Sequence, residues 1–172
     1  LAIVKHDSHI NGENHPVTAA AEVLRAAGVE FSEYSYCHEE PAWTGSCAKE
    51  LNIDEHSLVK TIVLEADGKP FIVLLHGDMR ASTKELAKVI GAARITPCLP
   101  DKVELYTGYA AGGTSPFGIR DVMPVYMEET ILNLRKVYIS GGKKGYLLSL
   151  DPLDAVRVLQ PTLVRVGGSR ST

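Results

Sequence analysis

Residues 58–76 constrain the fold more than any other stretch of the chain. The segments LVKTIVLEA (58–66) and PFIVLLHG (70–77) are apolar, β-branched runs separated by Asp67-Gly68-Lys69. A DG turn between such runs predicts a tight antiparallel hairpin. The hairpin carries one misfit. Lys60 stands among Val59, Thr61 and Ile62, and strand alternation puts it on the face of Ile62 and Leu64, opposite Val59, Thr61 and Val63. If that face is internal, the ammonium needs an anion, a carbonyl or water for company. An edge-strand lysine that snorkels to solvent is the plainer reading.

Around this hairpin the chain alternates irregularly between helical and strand patterns. Val17, Ala20, Leu24 and Ala27 recur with helical spacing between Pro16 and Gly28. VEFSEYSY then reads as a strand, and PAWTGSCAKELNI as a loop entering a short helix. Ser82 with Glu85 has capping-box spacing for a helix over 83–90 that stops at Gly91. ARITPC suggests a short strand, PDKVELYTG one or two helical turns, and VMPVYM another strand. Residues 134–139 and 146–150 read as two strands around the turn SGGKKG. Asp151 caps a last helix, followed by a strand in TLVRV. About seven strands and four or five helices, mixed rather than alternating, predict an α+β single domain with a barrel-like sheet. Residues 1–15 read as a flexible lead-in, 16–167 as the domain, and 168–172 as a flexible tail.

The 172 residues are 45% hydrophobic and 23% charged, an ordinary globular composition. No apolar run approaches the ~20 residues of a membrane helix, and the N-terminal stretch lacks a signal peptide's apolar region. Three cysteines, Cys37, Cys47 and Cys98, without a CxxC pair favour reduced thiols and a cytoplasmic protein. They do not suggest structural zinc. The net charge of −3 disfavours a protein that coats DNA. It leaves room for one that touches a few phosphates through a local cluster of cations.

Three places can carry chemistry. Lys60 is the first. The second is Gly112-Gly113-Thr114-Ser115-Pro116-Phe117-Gly118, where bare N–H groups can form a nest for a carbonyl, carboxylate or phosphate. This loop is neither a Walker loop nor a dinucleotide fingerprint, and it reads equally well as an awkward turn. The third is Ser140-Gly141-Gly142-Lys143-Lys144-Gly145, an anion-binding hairpin or a solvated turn. His6, His9 and His15 read as part of a polar tail. His38 and His76 have no evident nucleophile partner, and Tyr36 and Trp43 are candidates to stack on a base.

The motifs VKTIVL, TGYAAGGTSPFG and VYISGGKKG, in this order, resemble the YbaK family of free-standing editing domains. These are related to the domain inserted in bacterial prolyl-tRNA synthetases, and the resemblance runs from about Val17 to Val166. It implies hydrolysis of amino acids wrongly attached to tRNA, chiefly cysteine or alanine on tRNA(Pro), on a mixed barrel-like sheet. By motif position, the resemblance gives catalytic roles to Lys60, Gly112 and Gly113. It gives substrate contacts to Tyr36, Thr61, Thr114, Ser115, Pro116 and Ser140. Lys143 and Lys144 would steer the acceptor end of the tRNA. No metal or cofactor is implied, and prolyl-tRNA synthetase is the implied protein partner. One departure concerns specificity: where cysteine-removing members can carry an acid, two residues after the glycine hairpin, this chain has Leu147. Three other readings use the same residues: a nonenzymatic nucleic-acid or nucleotide-binding regulator, a serine or cysteine hydrolase built on Ser115, and a small-molecule binding module.

Overall fold

The computed structural model describes residues 14–37 and 44–169. His6, His9, His38, Trp43 and the 170–172 end of the tail lie outside the described residues. In chain order the elements are α1 (Ala19–Ala26), β1 (Phe31–Ser35), α2 (Thr44–Leu51), β2 (Leu58–Ala66), β3 (Lys69–His76), β4 (Met79–Ala81), α3 (Thr83–Ile90), β5 (Ile95–Pro97), α4 (Pro100–Thr107), β6 (Val125–Glu128), β7 (Val137–Lys143), β8 (Tyr146–Leu150), α5 (Pro152–Leu159), β9 (Thr162–Val164) and β10 (Gly167–Ser169).

The expected hairpin forms the centre. Val59 pairs with His76 and Ala66 with Lys69 across β2 and β3, and Asp67 and Gly68 both take positive φ, 50° and 81°. Such values fit the right-handed twist of a two-residue hairpin turn. The main sheet has eight strands in the order β1-β8-β7-β2-β3-β6-β9, with β5 pairing β2 further along the same edge that β7 uses. β2–β7, β3–β6 and β6–β9 are parallel and the other pairs antiparallel. This is the mixed α+β arrangement read from the sequence. β4 and β10 form a separate two-stranded ribbon.

Local signals explain several element ends. Ser82 Oγ accepts the Glu85 N–H at 3.2 Å, Gly91 closes α3 at φ 74°, and Asp151 Oδ1 accepts the Leu153 N–H at 2.8 Å. α1 differs from its sequence reading. Thr18 rather than Pro16 is its cap, accepting the Ala21 N–H at 3.2 Å, so Val17 stays outside and is 81% exposed. β7 also differs. A 3₁₀ turn over 129–133 delays its start to Val137, and the strand runs on through a bulge between Ser140 and Lys143. Most of the expected SGGKKG turn is therefore strand, with Lys144 and Gly145 as the turn. Gly168 and Ser169, read as tail, pair with Arg80 and Met79. His15, read as lead-in, lies against Tyr146 with ring centroids 6.0 Å apart.

The sheet is covered unequally. Val59 and Val63 of β2 join Ile72, Leu74, Ile139 and Leu148 in the main core, closed by α1 (Ala20, Leu24) and α5 (Ala155). On the other face, Leu64, Phe71 and Val73 pack with Leu86 of α3, while Leu58 and Leu147 pack with Cys47 and Ala48 of α2. Lys60 falls on that face between Leu58 and Leu64, so between two small clusters rather than inside either. Among the described residues, no helix is long and apolar enough to cross a membrane.

Candidate active site

The gap between these clusters is a cavity of about 650 Å³. Its walls include Tyr36, Cys47, Leu58, Lys60, Thr61, Arg80, Gly112, Thr114, Ser140 and Leu147. β2 explains why the gap exists. Its pairing with β7 ends at Val59 and its pairing with β5 begins at Leu64. Among the described residues, 60–63 thus have a strand neighbour on the β3 side alone. The Leu58 carbonyl accepts from the Gly77 N–H at 2.7 Å, so even-numbered residues of β2 direct their amides toward β3. Odd-numbered residues turn the other way, as the Cys98 N–H to Val63 carbonyl bond at 3.3 Å shows. Thr61 therefore directs its N–H and C=O into the gap.

Lys60 is half-buried, and its Nζ donates to the Met79 carbonyl of β4. The ammonium thus meets the requirement set by its strand face with a carbonyl partner. Thr61 Oγ1 is buried and has no hydrogen-bond partner among the described residues, and an orphan hydroxyl of this kind is costly unless something else satisfies it. Tyr36 is anchored through its N–H to the Gly145 carbonyl at 2.9 Å. Burial, with the Cys47 thiol beside it, pushes the Tyr36 phenol above its ordinary range. Ser140 Oγ accepts the Gly142 N–H at 3.3 Å within the β7 bulge and lines the cavity.

The glycine loop divides its residues between cavity and scaffold. Gly112 is exposed, has φ 86° and lines the cavity. Gly113 is buried behind it, and its N–H is engaged by the Ala110 carbonyl at 3.0 Å. A Cβ on Gly113 would lie 2.7 Å from the Lys144 amide nitrogen and 3.0 Å from the Lys143 carbonyl carbon. The second glycine is bare so that the loop can rest on the β7–β8 hairpin. Thr114 reaches the cavity, whereas Ser115 is wholly buried, its Oγ accepting the Phe117 N–H at 3.3 Å. Pro116 is buried too. Tyr109 ties the loop down from below through its hydroxyl to the Phe117 carbonyl at 2.6 Å, and burial pushes its phenol up to about 12. Lys143 and Lys144 are exposed on the hairpin. A Cβ on Gly112 would come within 3.1 Å of Lys144 Cε, so that side chain lies along the loop.

The structure thus brings Tyr36, Lys60, Thr61, Gly112, Thr114 and Ser140 to one cavity. It sets Gly113, Ser115 and Pro116 behind the wall and Lys143 and Lys144 on the adjoining hairpin. Sequence reasoning missed Arg80, Glu50 and Cys47 as wall residues. Arg80 sits in a three-residue strand with no pattern to mark it. Glu50 Oε1 accepts the Cys37 N–H at 2.8 Å, which holds Cys37 against α2. Burial, and next the Glu50 charge, push the Cys47 thiol up to about 11, so it stays protonated at neutral pH and is a poor nucleophile.

One end of this cavity is apolar, with Leu58, Leu147, Cys47 and Tyr36, and the other carries Lys60 and Arg80 beside exposed main chain. These features define an α+β domain with a partly open, two-ended binding cavity at a break in its sheet. Residues 38–158 match the aminoacyl-tRNA editing domain family. The chain belongs to that family, the one that includes YbaK. The Enterococcus faecalis protein named "Putative Cys-tRNA(Pro)/Cys-tRNA(Cys) deacylase EbsC" is 28% identical over 137 residues, covering 78% of this chain and 84% of that protein. A proline–tRNA ligase of Nitratidesulfovibrio vulgaris is 32% identical over 95 residues, 55% of this chain but 16% of the ligase. Among solved structures, "hypothetical protein APE2540" superposes with TM-score 0.80 at 21% identity, covering 88% of this chain and all (100%) of that one. A "putative trans-editing enzyme for prolyl tRNA synthetase" gives 0.75 at 18% identity, covering 90% and 100%. At these identities the two structures speak for the fold.

Proposed function

We propose that the chain is a trans-editing hydrolase that removes a small amino acid, cysteine or alanine, from mischarged tRNA(Pro). The observation that carries this reading is the cavity itself, where Lys60, Thr61 and Gly112 meet at a break in the sheet. An aminoacyl ester is already activated, so the protein need supply orientation and stabilisation of the developing oxyanion rather than a strong nucleophile. In this reading Gly112, with the Thr61 main chain opposite, receives the ester carbonyl. Lys60 fixes the terminal ribose. The aminoacyl side chain enters the end walled by Leu58, Leu147, Cys47 and Tyr36. Water adds to the carbonyl carbon, the bond to the ribose oxygen breaks, and the proton passes to that oxygen, giving free amino acid and uncharged tRNA.

An apolar wall discriminates by size, and one methylene there is worth about 1–3 kcal/mol. Proline is excluded by the same means. Gly113 and Ser115 act as scaffold in this scheme, because the N–H of the first and the Oγ of the second are both engaged. Lys143 and Lys144 steer the acceptor end, and prolyl-tRNA synthetase is the partner that would hand over the tRNA to a protein of net charge −3.

The test is deacylation of Cys-, Ala- and Pro-tRNA(Pro) by the wild type and by Lys60→Ala. Hydrolysis of a mischarged species, sparing Pro-tRNA(Pro) and reduced at least 100-fold in the variant (about 3 kcal/mol), is the expected result. Tight RNA binding with no deacylation of any species would overturn it in favour of a nonenzymatic regulator.

A further inference from the structure

Arg80 has no place in the scheme above, yet it forms part of the cavity wall beside Lys60. Strand alternation explains why. Met79 and Ala81 share one face of β4: Ala81 packs on the cluster around Leu86, and Met79 Sδ would sit 2.8 Å from a Cβ on Gly167. Arg80, between them, faces the opposite way. Its partner across the ribbon is Gly168, and a Cβ there would meet nothing within 4 Å, so the ribbon face beside Arg80 is open at that position. Among the described residues, no carboxylate pairs with Arg80. The Met79 carbonyl next to it receives the Lys60 ammonium. One three-residue strand therefore sets the place of both cations.

A guanidinium is a planar fork whose donors match two oxygens of a phosphate or a carboxylate, and its flat face stacks on aromatic rings. Among the described residues, the carboxylate on the cavity wall is Glu50, which is in the helix that builds the apolar end and is occupied by the Cys37 N–H. An aminoacyl ester and its ribose carry no negative charge. The nearest anion in such a substrate is the phosphodiester on the 5′ side of the terminal nucleoside. We infer that Arg80 is a substrate-binding residue that grips this phosphodiester and so sets how deeply the esterified ribose enters the cavity. This inference rests on the deacylase reading.

Two substrates separate the phosphate from the ester. One amino acid is presented on a dinucleotide that keeps the internal phosphodiester, and on adenosine, which has none. Arg80→Gln is expected to lower kcat/KM about tenfold or more on the dinucleotide and on tRNA, and to leave aminoacyl-adenosine within about twofold. Arg80→Lys should recover part of the loss. The exposed position keeps the melting temperature of both variants near wild type. An equal loss on both substrates, or no loss on either, would overturn the inference. Titration with a short uncharged RNA ending in CCA supplies a readout that needs no turnover. Arg80→Gln should weaken it about tenfold and lower the salt slope by about 0.7. Should the wild type deacylate nothing while this RNA still binds through Arg80, the deacylase reading falls and the phosphate contact stands. If RNA affinity is unchanged in Arg80→Gln, the contact itself is refuted.

Discussion

Gly112 and Gly113 are adjacent and are glycine for different reasons. At Gly112 the backbone has φ 86° and the side a Cβ would occupy faces the flexible end of Lys144. Alanine there meets left-handed strain of roughly 1–2 kcal/mol and narrows the cavity. At Gly113 a Cβ would strike main-chain atoms of Lys143 and Lys144 at 2.7–3.0 Å, which no rotamer change relieves. Gly112→Ala should therefore fold, melt a few degrees lower, since about 1 kcal/mol is about 2–4 °C at this size, and lose most of its turnover. Gly113→Ala should lose more stability, in the overpacking range of about 1–3 kcal/mol or above. Thermal melts alongside deacylation rates separate the two, and a Gly112→Ala enzyme of normal rate would remove this glycine from the site. Lys60 was legible from sequence because a cation in an apolar run is a visible anomaly. The two glycines were visible as a pair but not as a division of labour, because that depends on a hairpin about 30 residues further on, which the loop touches only after folding. Ser115 misled for a related reason: its motif position is that of a ligand-facing hydroxyl, while its Oγ closes a turn inside the loop.

The elements differ in how much sequence alone fixes them. β2 and β3 carry their own pattern and turn, whereas β4 and β10 are Met-Arg-Ala and Gly-Gly-Ser, each too short for a period to stand out and without β-branched residues. Next to this pairing, buried Glu128 accepts the N–H groups of Val166 and Gly167 at 2.8 and 2.7 Å, which fixes the chain where it enters β10. Nothing local announces this. The end of β3 is similar. His76 is fully buried, its Nδ1–H donates to the His56 carbonyl at 2.6 Å, and its Nε2 accepts from Thr130 Oγ1 at 2.8 Å. Its ring stacks on His56 at 3.7 Å, and His56 Nδ1 is 2.9 Å from Asp78. Burial first, and the neighbouring His56 charge among the lesser causes, hold His76 below its ordinary 6.5, against the opposing pull of the His56 carbonyl, Asp78 and Glu128. The unfolded chain then takes up a proton near pH 6.5 that the folded chain refuses. Stability is complete above 6.5 and is lost as the pH falls through the lower folded value. Urea unfolding should give a midpoint that is flat above pH 7 and declines as the pH falls below 6.5, ahead of carboxylate protonation. His76→Gln should be less stable at pH 7.5 and should lack that decline. An equal slope in the variant would assign the titration elsewhere.

At the scale of the whole molecule the charge is distributed against the average. The chain totals −3, yet Lys60 and Arg80 line the cavity and Lys143 and Lys144 stand on the hairpin beside it. Composition alone argues against a nucleic-acid coat. It could not reveal this local cluster, because its members come from β2, β4 and the β7–β8 turn and meet only through the sheet order. A local cluster on an acidic body should produce a small and countable salt dependence. Each phosphate contacted on a single strand contributes about −0.7 to the slope of log affinity against log salt. Two or three contacts at the tRNA end predict a slope of about −1.5 to −2 for kcat/KM under subsaturating tRNA, far shallower than that of a duplex-coating protein. Replacing Lys143 and Lys144 together with glutamine should lower affinity and flatten the slope, with kcat at saturating tRNA close to wild type, because in the proposed scheme these side chains guide the strand and do not touch the ester. Replacing Lys60 should instead cut kcat. A salt-independent kcat/KM in the wild type would mean that recognition is carried by the aminoacyl end and ribose alone, and the hairpin lysines would then have no part in it.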